Sequence, residues 1–165
     1  MEDMCVYIAN LGKYTEGESV GEWFTLPIDY DEMAERIGLN GRYEEYAIHD
    51  AQVPFEIGEY MSIDELNTIY EQLEEIADTP IITELKAIQG NWFSSIEDLV
   101  EHKDDIYHHD CSDFTELAEL FVELGYLGEI PDRLTYYIDY EAFGRDLSIE
   151  GNFLETTNGI FEYTG

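Results

Sequence analysis

Positive charge is what this sequence has least of. Seven Lys and Arg stand against 39 Asp and Glu in 165 residues, a formal net charge of −32. Nucleic-acid-binding domains carry a basic footprint, often with a pI above ~9; the pI here is ≈ 4.1. Direct binding to DNA, RNA or an anionic membrane face is repelled along the whole chain. No stretch approaches the ~18 apolar residues of a membrane span. The opening Met1-Glu2-Asp3 lacks the basic region of a signal peptide, so a soluble cytoplasmic protein is the simplest reading. Two cysteines, Cys5 and Cys111, allow at most one bridge and no disulfide framework. Catalytic signatures are missing too: there is no G-x-S-x-G, G-x-x-x-x-G-K-[ST], G-x-G-x-x-G or C-x-x-C. With 39 carboxylates, some pair falls at glycosidase-like separation by chance, so paired acids carry no information. Neither an enzyme nor a cofactor is expected.

What is present is core-forming material. The apolar fraction is 44% and aromatics make up 14%, with 13 Tyr, 8 Phe and 2 Trp. High net charge signals disorder only where aromatics are few, so this chain folds. Its length suits one domain of about 100–200 residues or two to three small ones.

The charge is spread evenly. Cut at turn-like places near residues 61 and 103, the chain gives segments of 14 acidic and 3 basic, 10 and 2, and 15 and 2 residues. The longest acidic runs are pairs such as Glu44-Glu45, Glu74-Glu75 and Asp104-Asp105. This is no neutral domain with an acidic tail; the surface is negative nearly everywhere. Such repulsion destabilises a compact state, and an elongated shape relieves it.

Hydrophobic pattern and turn chemistry predict an α+β chain of three small domains. Residues 4–11 and 22–26 read as strands separated by a Gly-rich loop over residues 12–21, and residues 43–49 read as a third strand. Asp29 or Asp31 caps a helix running to Ile37, with Gly38 after it. These elements make an N-terminal α+β domain, 1–61. In 62–103 the period becomes helical: Ser62 and Glu65 form a capping box, Thr79-Pro80 opens a second helix that Gly90 stops, and Ser95 with Asp98 opens a third. In 104–165, Asp113 and Glu116 cap a helix closed by Gly125, and Pro131 begins a helical turn. Asp139 caps a helix around residues 141–143, and Asn158-Gly159 signals a type I′ hairpin.

Two ligand-like patterns are weak. His102, His108, His109 and Cys111 fall within ten residues of one another, without the paired spacing that zinc sites use. Asp29-x-Asp31 begins like a calcium loop, but Met33 sits at the third ligand position and Ala34 replaces the glycine. No metal is expected. The aromatics Tyr126, Tyr136, Tyr137, Tyr140 and Phe143 crowd one region, and tyrosines are enriched in interface centres, which points to self-association there.

The carboxylate field admits two explanations. One is salt adaptation. The other is a phosphate surrogate: duplex DNA carries one charge per ~1.7 Å of axis, so 32 charges match roughly 54 Å of duplex, and two chains about 110 Å.

The runs Leu117-Ala118-Glu119-Leu120-Phe121-Val122-Glu123-Leu124-Gly125, Gly128-Glu129-Ile130-Pro131 and Tyr137-Ile138-Asp139-Tyr140-Glu141-Ala142-Phe143-Gly144-Arg145-Asp146-Leu147 resemble the antirestriction motif region of the ArdA family. The opening Val6-Tyr7-Ile8-Ala9-Asn10-Leu11-Gly12-Lys13-Tyr14 and Gly21-Glu22-Trp23-Phe24 resemble that family's N-terminal signature. The middle third resembles it only in charge and helicity. The resemblance implies a protein encoded on mobile elements that protects incoming DNA by inhibiting type I restriction–modification enzymes. It implies a DNA mimic without catalytic activity: an elongated, curved homodimer of three-domain subunits, joined through the C-terminal domains and seated in the enzyme's DNA groove.

On this basis the expected partner-binding carboxylates are Glu65, Glu71, Glu75, Asp78, Glu97, Asp98, Glu116, Glu119 and Glu123, which helices hold in rows. Leu117, Phe121, Tyr126, Tyr136, Tyr137, Tyr140 and Phe143 are expected to build the motif region and the dimer contact. Arg133 and Arg145 are expected to tie nearby carboxylates together. The rival readings are a mimic aimed at another DNA-binding protein, a salt-adapted globular protein of unrelated function, and a metal module on the His/Cys cluster.

Overall fold

The computed structural model describes residues 3–165; Met1 and Glu2, where a leader's basic region was sought, lie outside the described residues. Among the described residues the fold is mixed α+β, with eight α-helices and two three-stranded antiparallel sheets. The chain gathers into two compact units, one ending at Lys86 and the other spanning Ala87–Gly165.

In the first unit, strand β1 (Cys5–Asn10) lies between β2 (Gly21–Thr25) and β3 (Tyr46–Gln52). Alternation aims Val6, Ile8, Phe24 and Ile48 into the core, where all are buried. On the other face the Tyr7 ring meets Trp23 edge-on at 5.7 Å and lies across Gly21, where a Cβ would stand 2.9 Å from it. Beside β1, β3 carries a bulge at His49, because Tyr7 pairs with Asp50 and Ile8 with Ile48. The strand is shifted three residues along the chain from the expected 43–49.

Helix α1 (Leu11–Thr15) occupies the start of what reads as a Gly-rich loop. Gly12 is there for space: a Cβ would meet the Tyr43 ring at 2.6 Å. Helix α2 (Tyr30–Ile37) is capped by Asp29, whose carboxylate accepts from the Glu32 N–H at 3.0 Å, and ends on Gly38 at φ 74°. Helix α3 (Ile63–Glu74) has the expected capping box. It buries Ile63, Leu66 and Leu73, and Asn67 ties it to Ile28: the amide accepts from the Ile28 N–H at 2.7 Å and donates to the Ile28 carbonyl at 2.8 Å.

A 3-10 stretch, Pro80–Glu84, leads into α4 (Leu85–Trp92), with Pro80 at the first position as expected. Gly90 does not stop this helix; Phe93 N–H still bonds the Gln89 carbonyl at 2.9 Å. A mid-helix glycine costs about 1 kcal/mol, which the burial of Ile88 and Phe93 on either side outweighs. Helix α5 (Ile96–Glu101) follows, capped by Ser95.

The second unit's sheet has the order β4 (Ile106–His109), β6 (Gly159–Tyr163), β5 (Phe153–Thr156). Strand β4 is too short and histidine-rich to announce itself in the sequence. Helix α6 (Phe114–Glu123) packs on α8 (Tyr140–Glu150) around Leu117, Phe121 and Ile160, with Phe143, Leu147 and Phe153 at the margin. Between them lies the short α7 (Asp132–Thr135), directly after Pro131. Helix α8 extends well past the expected residues 141–143, because Leu147 joins the same apolar margin. Gly144 is buried on α8, and a Cβ there would meet the Phe114 carbonyl oxygen at 2.5 Å.

The C-terminal hairpin is present, but its turn is displaced by one residue. Thr156 pairs with Gly159, so Thr157 and Asn158 occupy the corners, and neither has the positive φ of a type I′ turn. Gly159 instead enters β6 at φ 119°, under β4, where a Cβ would sit 2.5 Å from His108 Nε2.

Candidate functional site

Helix α3 shows how the sequence builds an anionic face. Its apolar stripe of Ile63, Leu66 and Leu73 turns inward, which forces Asp64, Glu65, Glu71 and Glu74 outward, all exposed. Glu75 and Asp78 continue the exposed series past the helix end. On α6 the stripe of Leu117, Ala118 and Phe121 leaves Glu116, Glu119 and Glu123 exposed on one side. At ~1.5 Å rise per residue, those three carboxylates stand ~4.5 and ~6 Å apart along the axis.

The nine expected carboxylates are not alike. Glu65 Oε2 accepts from the Ser62 N–H at 3.0 Å, and Glu116 Oε2 accepts from the Ser112 N–H at 2.7 Å. Asp98 Oδ2 accepts from both the N–H (3.1 Å) and the hydroxyl (3.3 Å) of Ser94, and Asp98 is half-buried. These three are held by backbone at helix starts. Glu71, Asp78, Glu97, Glu119 and Glu123 are exposed and extend into solvent.

Few cations offset them. Arg36 pairs with Glu22 at 2.7 Å and Glu32 at 3.8 Å while lying 4.5 Å from the Phe24 ring centroid. Arg42 pairs with Glu16 at 3.6 Å and lies 5.2 Å from the Tyr43 centroid. Tyr43 donates its hydroxyl to Glu16 Oε2 at 2.7 Å, and that bond raises the phenol's pKa. Arg133 and Arg145 do not tie carboxylates together as expected. Both are exposed, one on short α7 and one on the solvent side of α8, and neither forms an ion pair among the described residues.

The histidines of the ligand-like cluster each serve a different neighbour. His102 Nδ1 lies 2.8 Å from the Asp98 carbonyl, His108 Nε2 2.7 Å from the Asn158 carbonyl, and His109 Nε2 3.1 Å from Glu162 Oε1. Among the described residues no three His, Cys, Asp or Glu side chains converge on a metal-sized site. Cys111 is buried, and that burial raises its thiol pKa.

The motif region divides into core and surface. Leu117 and Phe121 are fully buried, and Phe143 is half-buried against them. Tyr126 stacks on Phe121 with centroids 4.2 Å apart, yet it remains exposed. Tyr140 opens α8 half-buried, whereas Tyr136 and Tyr137 are 89% and 85% exposed. Leu124, Leu127, Leu134 and Ile149 are also exposed; the sequence pattern places Leu124 on the helix's apolar stripe and does not single out the other three. By spacing Leu124 continues the apolar stripe of Leu117, Leu120 and Phe121, but it stands at the C-cap of α6, past the buried turns, and is exposed.

A family model described as Antirestriction protein (ArdA) matches residues 6–162. The chain belongs to the ArdA family. No curated protein matches it significantly. The ArdA assignment implies an antirestriction role, in a family of inhibitors rather than enzymes, and interaction with restriction–modification enzymes. Among the described residues no helix is long and apolar enough to cross a membrane.

Proposed function

We propose that this chain is a DNA mimic that occupies the DNA-binding groove of type I restriction–modification enzymes and so protects incoming mobile DNA. The observation carrying this reading is the set of carboxylates on and just beyond the helices, most of them exposed, in a chain where 39 acidic residues face 7 basic ones. Glu65, Glu71, Glu75, Asp78, Glu97, Asp98, Glu116, Glu119 and Glu123 take the place of phosphates toward the groove's Lys and Arg. The spacings on α6 are of the same order as the ~3.4 Å between phosphates along one strand of a duplex.

In this reading the protein acts in the cytoplasm, uses no cofactor and does not bind nucleic acid itself. Its subunits are elongated, with functional divisions near 1–61, 62–103 and 104–165. Two copies associate through the C-terminal segment, where exposed Tyr126, Tyr136 and Tyr137, with Leu124, Leu127 and Leu134, give the apolar surface an interface needs. Leu117, Phe121, Tyr140 and Phe143 support that surface from below.

The test is capture of a purified type I enzyme on the immobilised protein, with and without competing duplex. The reading requires capture that duplex abolishes. Capture indifferent to duplex places the contact outside the groove, and preferential capture of a nucleoid or repressor protein transfers the mimicry to another target.

A further inference from the structure

Asp98 is an expected phosphate surrogate whose carboxylate is in contact with a titratable base. His102 follows it by one helical turn at the end of α5, with Nδ1 3.3 Å from Asp98 Oδ1 and 2.8 Å from the Asp98 carbonyl. The imidazole is stacked on Phe93 at 5.9 Å and met edge-on by Tyr163 at 6.3 Å, so its ring plane is fixed. From the other side, Ser94 holds Asp98 Oδ2 through its N–H and hydroxyl. The carboxylate is therefore clamped between a serine that cannot change charge and a histidine that can.

We propose that His102 is a positioning residue that sets the effective charge of Asp98: protonated, it neutralises that carboxylate, and deprotonated, it releases Asp98 to take a cationic group of the partner. The inference rests on the mimic reading above. The groups facing the imidazole are Asp98 and Glu101 on α5, Asp105 on the 3-10 turn Lys103–Asp105, and the Tyr163 phenol on β6. The bond to the Asp98 carbonyl raises the His102 pKa most; burial opposes it, and the charges of Asp98, Asp105 and Glu101 each add a smaller upward push, so the net shift is upward and a charged imidazole persists toward neutral pH. A cationic partner arriving at Asp98 disfavours that charge, so binding and proton release are linked, and affinity rises with pH.

The experiment measures binding of the full chain to one purified type I enzyme at pH 6 and pH 8, for wild type, His102→Gln and His102→Lys. Comparing the three on the same enzyme cancels the enzyme's own titration. Wild type should gain about two- to fivefold more affinity between the two pH values than His102→Gln, the range expected for one partly exposed ion pair. His102→Lys, charged at both pH values, should bind more weakly than His102→Gln at pH 8. Identical pH profiles for wild type and His102→Gln overturn the proposal.

Titration of the imidazole followed by NMR supplies an arm that needs no partner. The His102 pKa should fall in Asp98→Asn, and an unmoved value also overturns the proposal. Absence of binding at both pH values, with that titration behaving as expected, locates the failure in the mimic reading itself and removes the functional role assigned to His102.

Discussion

Asn10 joins the ends of two helices. Its Nδ2 donates to the carbonyls of Ile37 at 3.0 Å and Gly38 at 3.2 Å, where α2 ends, while its Oδ1 accepts from the Lys13 N–H at 3.1 Å, where α1 begins. Asn10 is fully buried, as is its bond to the Ile37 carbonyl, while the bonds to Gly38 and Lys13 are partly buried. Asn10→Ala should destabilise the N-terminal unit by about 3 kcal/mol, since two carbonyls and an N–H are left unsatisfied. Asn10→Asp should cost at least as much, because it sets an oxygen against both carbonyls. Denaturant unfolding checks both, and a loss below 1 kcal/mol for Asn10→Asp would refute the assignment.

Gly144 marks the closest approach of α8 to α6. Gly144→Ala places a methyl 2.5 Å from the Phe114 carbonyl oxygen, and backbone cannot turn aside as a side chain would. The variant should lose about 1–3 kcal/mol. Gly90→Ala, in an exposed position with nothing within 4 Å, should gain up to about 1 kcal/mol instead. Thermal unfolding of the pair gives opposite signs if the packing is as described.

His102 also couples stability to pH. Its folded pKa is raised above the ordinary 6.5, chiefly by the bond to the Asp98 carbonyl. The stabilisation is therefore fully present below about 6.5 and is lost as pH rises through the folded value. The difference in Tm between wild type and His102→Gln should shrink from pH 5.5 to pH 8. A difference that grows over that interval would contradict the stated direction.

Self-association through the motif region predicts that the double variant Tyr136→Ser, Tyr137→Ser stays folded, since both rings are exposed, but sediments as a monomer where wild type sediments as a dimer. Phe121→Ser, by contrast, should unfold the C-terminal unit, because Phe121 lies in its core. Unchanged sedimentation of the tyrosine pair would move the interface elsewhere.

How much of this was legible depended on how local the cause was. The caps at Ser62, Ser95 and Asp113 are decided within four residues and are found where the sequence places them, and of the two candidates Asp29 and Asp31 it is Asp29 that caps α2. The short helix α1, the Gly90 run-through and the one-residue shift at Gly159 each depend on a distant partner: Asn10 reaching α2, the core around Phe93, and the His108 ring. Glycine was misread for the same reason. At Gly12 the sequence suggests a loop, but the position needs room for Tyr43; at Gly159 it suggests the turn itself, but the glycine enters β6, where it supplies a φ of 119° and room for β4. For the candidate site, helical period identified which carboxylates face solvent. It could not reveal that Ser62, Ser94 and Ser112 restrain three of them, or that Asp98 shares a histidine.

The account stands or falls on competition for the DNA groove. The direct measurement is displacement of a labelled duplex from a purified type I enzyme by this protein, repeated across salt concentration. Stoichiometric displacement is predicted, with an affinity that falls steeply and log-linearly with salt, as a contact made through many ion pairs requires. Inhibition that leaves the duplex bound, or an affinity indifferent to salt, would contradict it.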